Sequence, residues 1–435
     1  MRALRLTEIV VAARCISCTC ALDDLRFHAT VWYDDVDLTT LDRELAERLA
    51  FHIALFQLNA VCSLRPDVID VGPYARFLTP ELRTLWRTVF RHVWAQWRYE
   101  TNDPDYLPDF ASAPSTAHPT PATLPANDAL LAFCGGGKDS LVALKLLERA
   151  ALPFATLGYS HSIYGTAAAQ HALLEQVASA SARTRAERLY VIDDFMDAPL
   201  PHMHAAETPA SVFAALPLAA LRGYRALVVA HEASANTPNL VWRGEPINHQ
   251  WGKGWEAEQL LDRYIQTLLP VRYFSVLSPI HDEVIFELLS RDAPLAAHTH
   301  SCNIAKPWCG HCPKCAYVWL QFAAHLPPDV VAATFPRGVD YDFRALLGLT
   351  DHTPFECVGS AEEARLALAL ANARHALPAP LAVLAATTPP PPPDTLRAFV
   401  EVLDRHGMPP AIADRILPLL REAAAAAARR LGVIA

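Results

Sequence analysis

Three consecutive glycines, Gly135, Gly136 and Gly137, stand between a short apolar run ending at Cys134 (ALLAFC) and an amphipathic stretch (LVALKLLERA). The chain holds only 16 glycines in 435 residues, so a cluster of three has a local purpose. A buried strand, a glycine turn and a helix in this order predict a parallel α/β sheet. The turn then lies where backbone N–H groups gather at the positive end of a helix. Glycine lets that backbone approach a ligand closely and adopt positive φ. Lys138 adds a charge and Ser140 a hydroxyl, which together make a phosphate cradle. The motif is not a Walker A loop, because Asp139 follows the lysine where Ser or Thr is required. It does not have the GxGxxG spacing either.

The surrounding pattern extends the same reading. FATLGYS, RLYVID and YRALVVAH are further buried-strand runs, alternating with helical stretches such as AAAQHALLEQVASAS. This α/β domain is expected over residues 129–326. Residues 1–106 mix strand-like runs (EIVVAARCISC, RFHATVWY) with apolar periodicity over Asp42 to Leu58 and Leu82 to Trp97, an α+β domain. A Pro-, Ser-, Thr- and Ala-rich segment, residues 107–128, reads as a linker. Residues 327–435 read as a helical region interrupted by a polyproline spacer at Thr387 to Asp394.

Composition excludes some classes of function. Apolar residues are 52% and charged residues 19%, too apolar for a mainly disordered chain. A net charge of -9 argues against bulk nucleic-acid binding. No apolar run approaches the ~20 residues of a membrane span. The N-terminal stretch is broken by Glu8 and Arg14 and lacks a cleavage site, so a cytoplasmic protein is expected.

Two further groups carry chemistry. Cys302, Cys309, Cys312 and Cys315 fall within fourteen positions, a spacing suited to a tetrahedral structural zinc. His300 and His311 are alternative ligands there. Cys15, Cys18 and Cys20 form a looser group that reads as buried strand residues. Between glycine turn and cysteines lie His231-Glu232-Ala233-Ser234-Ala235-Asn236, after a strand, and Asn248-His249-Gln250-Trp251-Gly252-Lys253, before a helix. Such dense polar groups are costly to bury without a ligand, and a strand's carboxyl end places them beside the glycine turn.

The turn resembles the PP-loop, SGGxDS, of the ATP pyrophosphatases. That resemblance implies binding of ATP through Gly135, Gly136, Gly137, Lys138, Asp139 and Ser140. It also implies attack of a substrate oxygen on the α-phosphorus, with Asp139 helping to hold Mg²⁺. The order GGGKDS, HEASAN, NHQWGK, RYFSVLSPI and WCGHCPKC, after an N-terminal α+β segment, is similar to the UDP-N-acetylmuramoyl-L-alanyl-L-glutamate epimerases. This implies an ATP- and Mg²⁺-dependent isomerase of peptidoglycan biosynthesis that inverts the terminal residue of a nucleotide-sugar dipeptide. The family's HEASAN-like segment often begins with Asn where this chain has His231.

The chemistry is coherent. A carboxylate's α-proton is hard to remove, whereas an acyl-adenylate has a neutral, electron-withdrawing carbonyl. A base of suitable pKa must then reach the α-proton. The candidates are His249, His231 and Lys253, with His249 the first choice as a neutral imidazole. The alternative is a PP-loop ligase or nucleobase-modifying enzyme such as 7-cyano-7-deazaguanine synthase. That enzyme carries a similar cysteine cluster but no large N-terminal domain.

Overall fold

The computed structural model describes residues 2–115, 122–125, 127–195, 206–375 and 377–433. The chain opens with three strands, β1 (Ala3–Ala12), β2 (Cys15–Leu22) and β3 (Leu25–Tyr33), of which β2 alternates strictly between buried and less buried residues. In β2 the buried set is Ile16, Cys18, Cys20 and Leu22, so two of the first three cysteines are core residues. Burial pushes the Cys18 thiol up to about 12. Helix α1 (Arg43–Gln57) starts at Asp42, whose carboxylate accepts the Leu45 N–H. Then come β4 (Val68–Asp70), α2 (Pro80–Val93), capped by Thr79, α3 (Ala95–Glu100) and β5 (Asp109–Phe110). Part of the expected linker, residues 116–121 and 126, lies outside the described residues.

The α/β segment follows as β6 (Leu130–Cys134), α4 (Lys138–Arg149), β7 (Phe154–His161), α5 (Ala167–Ala178) and β8 (Arg185–Asp193). Next are α6 (Glu207–Arg222), β9 (Ala226–Val229), a hairpin of β10 (Leu240–Trp242) and β11 (Glu245–Ile247), α7 (Trp255–Leu268) and β12 (Arg272–Ser275). The rest is helical: α8 (Asp282–Ser290), α9 (Ala293–Ala296), α10 (Pro313–His325), α11 (Pro328–Thr334), α12 (Ala361–Arg374), α13 (Ala379–Thr387), α14 (Pro393–Phe399) and α15 (Pro410–Leu431).

Ten strands form one sheet in the order β12-β9-β6-β7-β8-β3-β2-β1-β4-β5. The run from β12 to β8 is parallel, and β8 then pairs antiparallel with β3. The N-terminal strands therefore continue the sheet of the glycine-turn segment instead of forming a sheet apart. Both faces of the parallel part are covered. Leu131 and Leu227 join one hydrophobic cluster, while their neighbours Leu130, Ala132 and Val228 join the other. On the second side α15 packs on α8 and α12 on α10. Small buried residues, Ala423, Ala424, Ala427 and Ala428, line α15. Among the described residues no helix is long and apolar enough to cross a membrane.

One buried carboxyl ties α7 to β12. Glu258 is 1% exposed and accepts the Ser275 N–H at 3.0 Å. Burial pushes its pKa from 4.5 up to about 8. The folded state thus holds this proton more tightly than the unfolded chain. That contribution is complete below about pH 4.5 and disappears as pH rises towards 8. Glu258→Gln should remove this part of the slope and melt at least about 2 °C above wild type at pH 8. Thermal unfolding across pH 5 to 8 checks it, and parallel wild-type and variant curves would refute it.

Candidate active site

β6 ends at Cys134, and α4 begins three glycines later with no side-chain cap on its first turn. Ser140 folds back over the turn and accepts the Gly135 N–H at 3.1 Å. Gly136 has φ +80°, and a Cβ there would overlap the His300 ring. The His300 N–H donates to the Gly136 carbonyl at 2.7 Å, and Ser301 lies against Gly137. The segment before the cysteine cluster therefore clamps the glycine turn.

In front of the turn lies a cavity of about 310 Å³. Gly135, Gly137, Asp139 and Ser140 form one wall, with Tyr159 and His161 of β7 alongside. His231, at the end of β9, and Lys253 face it, as the strand-end argument predicts. Lys306, Lys314 and Cys357 also line it. A larger cavity of about 740 Å³ opens between β3, β8 and α5. It is lined by Trp32, Tyr190 and Ile192 and contains none of the motif residues.

The polar groups divide by role. Lys138 is buried and does not line the cavity. Its ammonium turns behind the turn, 2.6 Å from Asp139 and 2.5 Å from Asp282. Burial opposes that charge, but the two carboxylates hold the ammonium protonated. The positive charge in the cavity comes instead from Lys253, Lys306 and Lys314. Asp139 keeps a lowered pKa despite burial, because Lys138, Lys314 and Lys253 surround it.

His231 lines the cavity with Nδ1 buried and unpartnered. Burial and the nearby Lys253 push its imidazole down to about 3, so it is neutral. Its backbone is fixed by Ser275, whose Oγ accepts the His231 N–H at 2.9 Å. Glu232 caps the following turn through the Ala235 N–H, and burial beside Asp282 and Glu363 pushes its carboxyl up to about 8. Asn236 accepts the Trp255 N–H, and Asn248 donates to the Ala235 carbonyl. Those two amides are scaffold. His249 is exposed, bonded through Nδ1 to Gln96 Oε1 at 2.7 Å, and outside the cavity lining.

Cys302, Cys309, Cys312 and Cys315 close on one another, with all four sulfurs within 4.8 Å. Cys302 and Cys312 are 3.8 Å apart, and Cys309 and Cys315 are 3.7 Å apart. A tetrahedron with Zn–S near 2.3 Å has edges of about 3.8 Å, so the donor set fits a structural zinc. His300 is not among these ligands; it clamps Gly136, and His311 is exposed.

Several lining residues had no sequence signal. Cys357, Lys306, Lys314 and Glu207 come from loops and helix ends far from the glycine turn in the chain. Lys306 and Lys314 lie inside the cysteine motif, so its spacing marked their neighbourhood but not their direction.

Residues 62–276 match the MurL N-terminal domain, and residues 296–389 match the MurL C-terminal domain. Three similar proteins carry the name UDP-N-acetyl-alpha-D-muramoyl-L-alanyl-L-glutamate epimerase. The one from Micromonospora sp. is 36% identical over 258 residues, 55% of this chain and 56% of that protein. The one from Salinispora tropica is 34% identical over 261 residues, 55% of each chain. The one from Xanthomonas oryzae pv. oryzae is 31% identical over 263 residues, 56% of this chain and 57% of that protein. The matched region thus spans about half the length of these relatives. Two stretches that together take in most of the residues match the two halves of one family, and the chain belongs to the MurL family.

Proposed function

We propose that this chain is an ATP- and Mg²⁺-dependent epimerase. It inverts the terminal L-glutamate of a UDP-N-acetylmuramoyl dipeptide through an acyl-adenylate, which water then hydrolyses to AMP and the free carboxylate, in the cytoplasm. The observation that carries this reading is the meeting of a glycine turn at a helix N-terminus with three lysines in one cavity. Such a site suits a polyphosphate and an anionic substrate together. Bound ATP would supply the activated phosphorus for adenylation of the substrate carboxylate. Lys253, Lys306 and Lys314 would then balance negative charge around the reacting groups. Asp139, held ionised among lysines, is the residue in the turn able to hold Mg²⁺ against the pyrophosphate. The names of the relatives support the substrate class.

The test is incubation of the dipeptide substrate with ATP and Mg²⁺ in D₂O. Pyrophosphate release, deuterium at Cα and an otherwise unchanged product mass are expected. A ligase or nitrile synthase would change the product mass beyond that single deuterium. Asp139→Asn should lower pyrophosphate release by at least about 100-fold. Undiminished release by that variant would remove Asp139 from the mechanism.

A further inference from the structure

The reaction as proposed needs a proton acceptor inside the cavity, and the three groups expected from sequence serve it poorly. His249 lies outside the lining. His231, pushed down to about 3, is too weak a base for a carbon acid. Lys253 lines the cavity, but its ammonium is held protonated against burial by the sulfur beside it.

That sulfur is Cys357. It lies on the cavity wall with the glycine turn, and its Sγ is 3.0 Å from Lys253 Nζ. The Lys314 ammonium donates to the Cys357 carbonyl and fixes its backbone. Cys357 is not part of the four-cysteine cluster. A second group also points to a ligand here. His300 is 2% exposed and lines the same cavity, and neither ring nitrogen has a well-aligned protein partner.

We propose that Cys357 takes the α-proton of the activated substrate, as a thiolate paired with the Lys253 ammonium. This rests on the adenylation reading above. Burial raises a thiol's pKa, but Lys253, His249 and Lys314 together hold Cys357 well below the usual thiol range. Glu356 and Tyr164 also lie near the sulfur. In the step, Sγ accepts the α-proton and becomes a thiol. The C–H electron pair moves into the acyl carbonyl as an enolate. The pair returns to Cα as it takes a proton from water on the opposite face, and the thiol gives its proton to solvent. One solvent proton has replaced the α-proton, and the centre is inverted.

The test uses the full chain and two readouts. Cys357→Ser should lose deuterium uptake at Cα by at least about 100-fold, far more than it loses pyrophosphate release. In the wild type, iodoacetamide at pH 7 should alkylate Cys357 before the other cysteines, read by peptide mapping. ATP with substrate should slow that alkylation. Exchange at the wild-type rate by Cys357→Ser overturns the proposal. So does joint loss of pyrophosphate release and exchange in a variant with an unchanged melting temperature, because Cys357 would then act in activation. If the variant does not fold, alkylation decides, and a Cys357 that resists iodoacetamide is not a thiolate. A wild-type protein that releases no pyrophosphate sinks the adenylation reading itself, and this step with it.

Discussion

Cys312→Ser is expected to cost more than about 4 kcal/mol of stability and to lower bound zinc from about one equivalent per chain towards none. Cys302 and Cys315 are fully buried and Cys312 is 1% exposed, so their thiolates have no water to fall back on. Cys312 also caps α10, accepting the Cys315 N–H at 3.4 Å. The consequence reaches the cavity, because His300 and Ser301 clamp the glycine turn and Lys306 and Lys314 line the site. Loss of the metal should therefore lower activity as well as stability. Metal analysis of protein purified without added zinc, with urea unfolding of both forms, checks the expectation. An active, folded, metal-free protein would refute it.

Gly136→Ala is the second large effect. The new methyl has no room beside the His300 ring, and φ +80° is a conformation that alanine rarely adopts. Strain and overpacking together should cost about 2–4 kcal/mol. Pyrophosphate release should fall by at least about 100-fold, because the turn cannot keep its shape. Combining it with His300→Ala removes the overlap but not the backbone strain. The double variant should therefore recover part of the melting temperature and little of the activity. A Gly136→Ala protein with wild-type melting and turnover would show that the turn tolerates a side chain.

The glycine turn, its strand and its helix were legible because each depends on neighbours in the chain. ALLAFC and LVALKLLERA became β6 and α4, and GGG became the positive-φ bend between them. The four cysteines were legible for the same reason, since Cys309, Cys312 and Cys315 lie close together in the chain at the start of α10. The alternation in β2 also read correctly, placing Cys18 and Cys20 in the core. Lys138 was different. Its place in the motif suggested a phosphate contact, but its direction is decided by Asp282, a carboxylate 144 residues away.

Periodicity and local turn chemistry determined the element types, the glycine turn and the clustering of the four cysteines, because these interactions span only a few residues. Pairing between distant segments decided the rest. The antiparallel ladder from β3 to β8 joins the first strands to the parallel sheet across residues 107–128, and no local pattern announces such an edge. The same packing brings Lys253, Lys314 and Cys357 onto one cavity wall. Their charges stabilise one another only once the chain has removed them from water together, and that electrostatic coupling exists in no single segment.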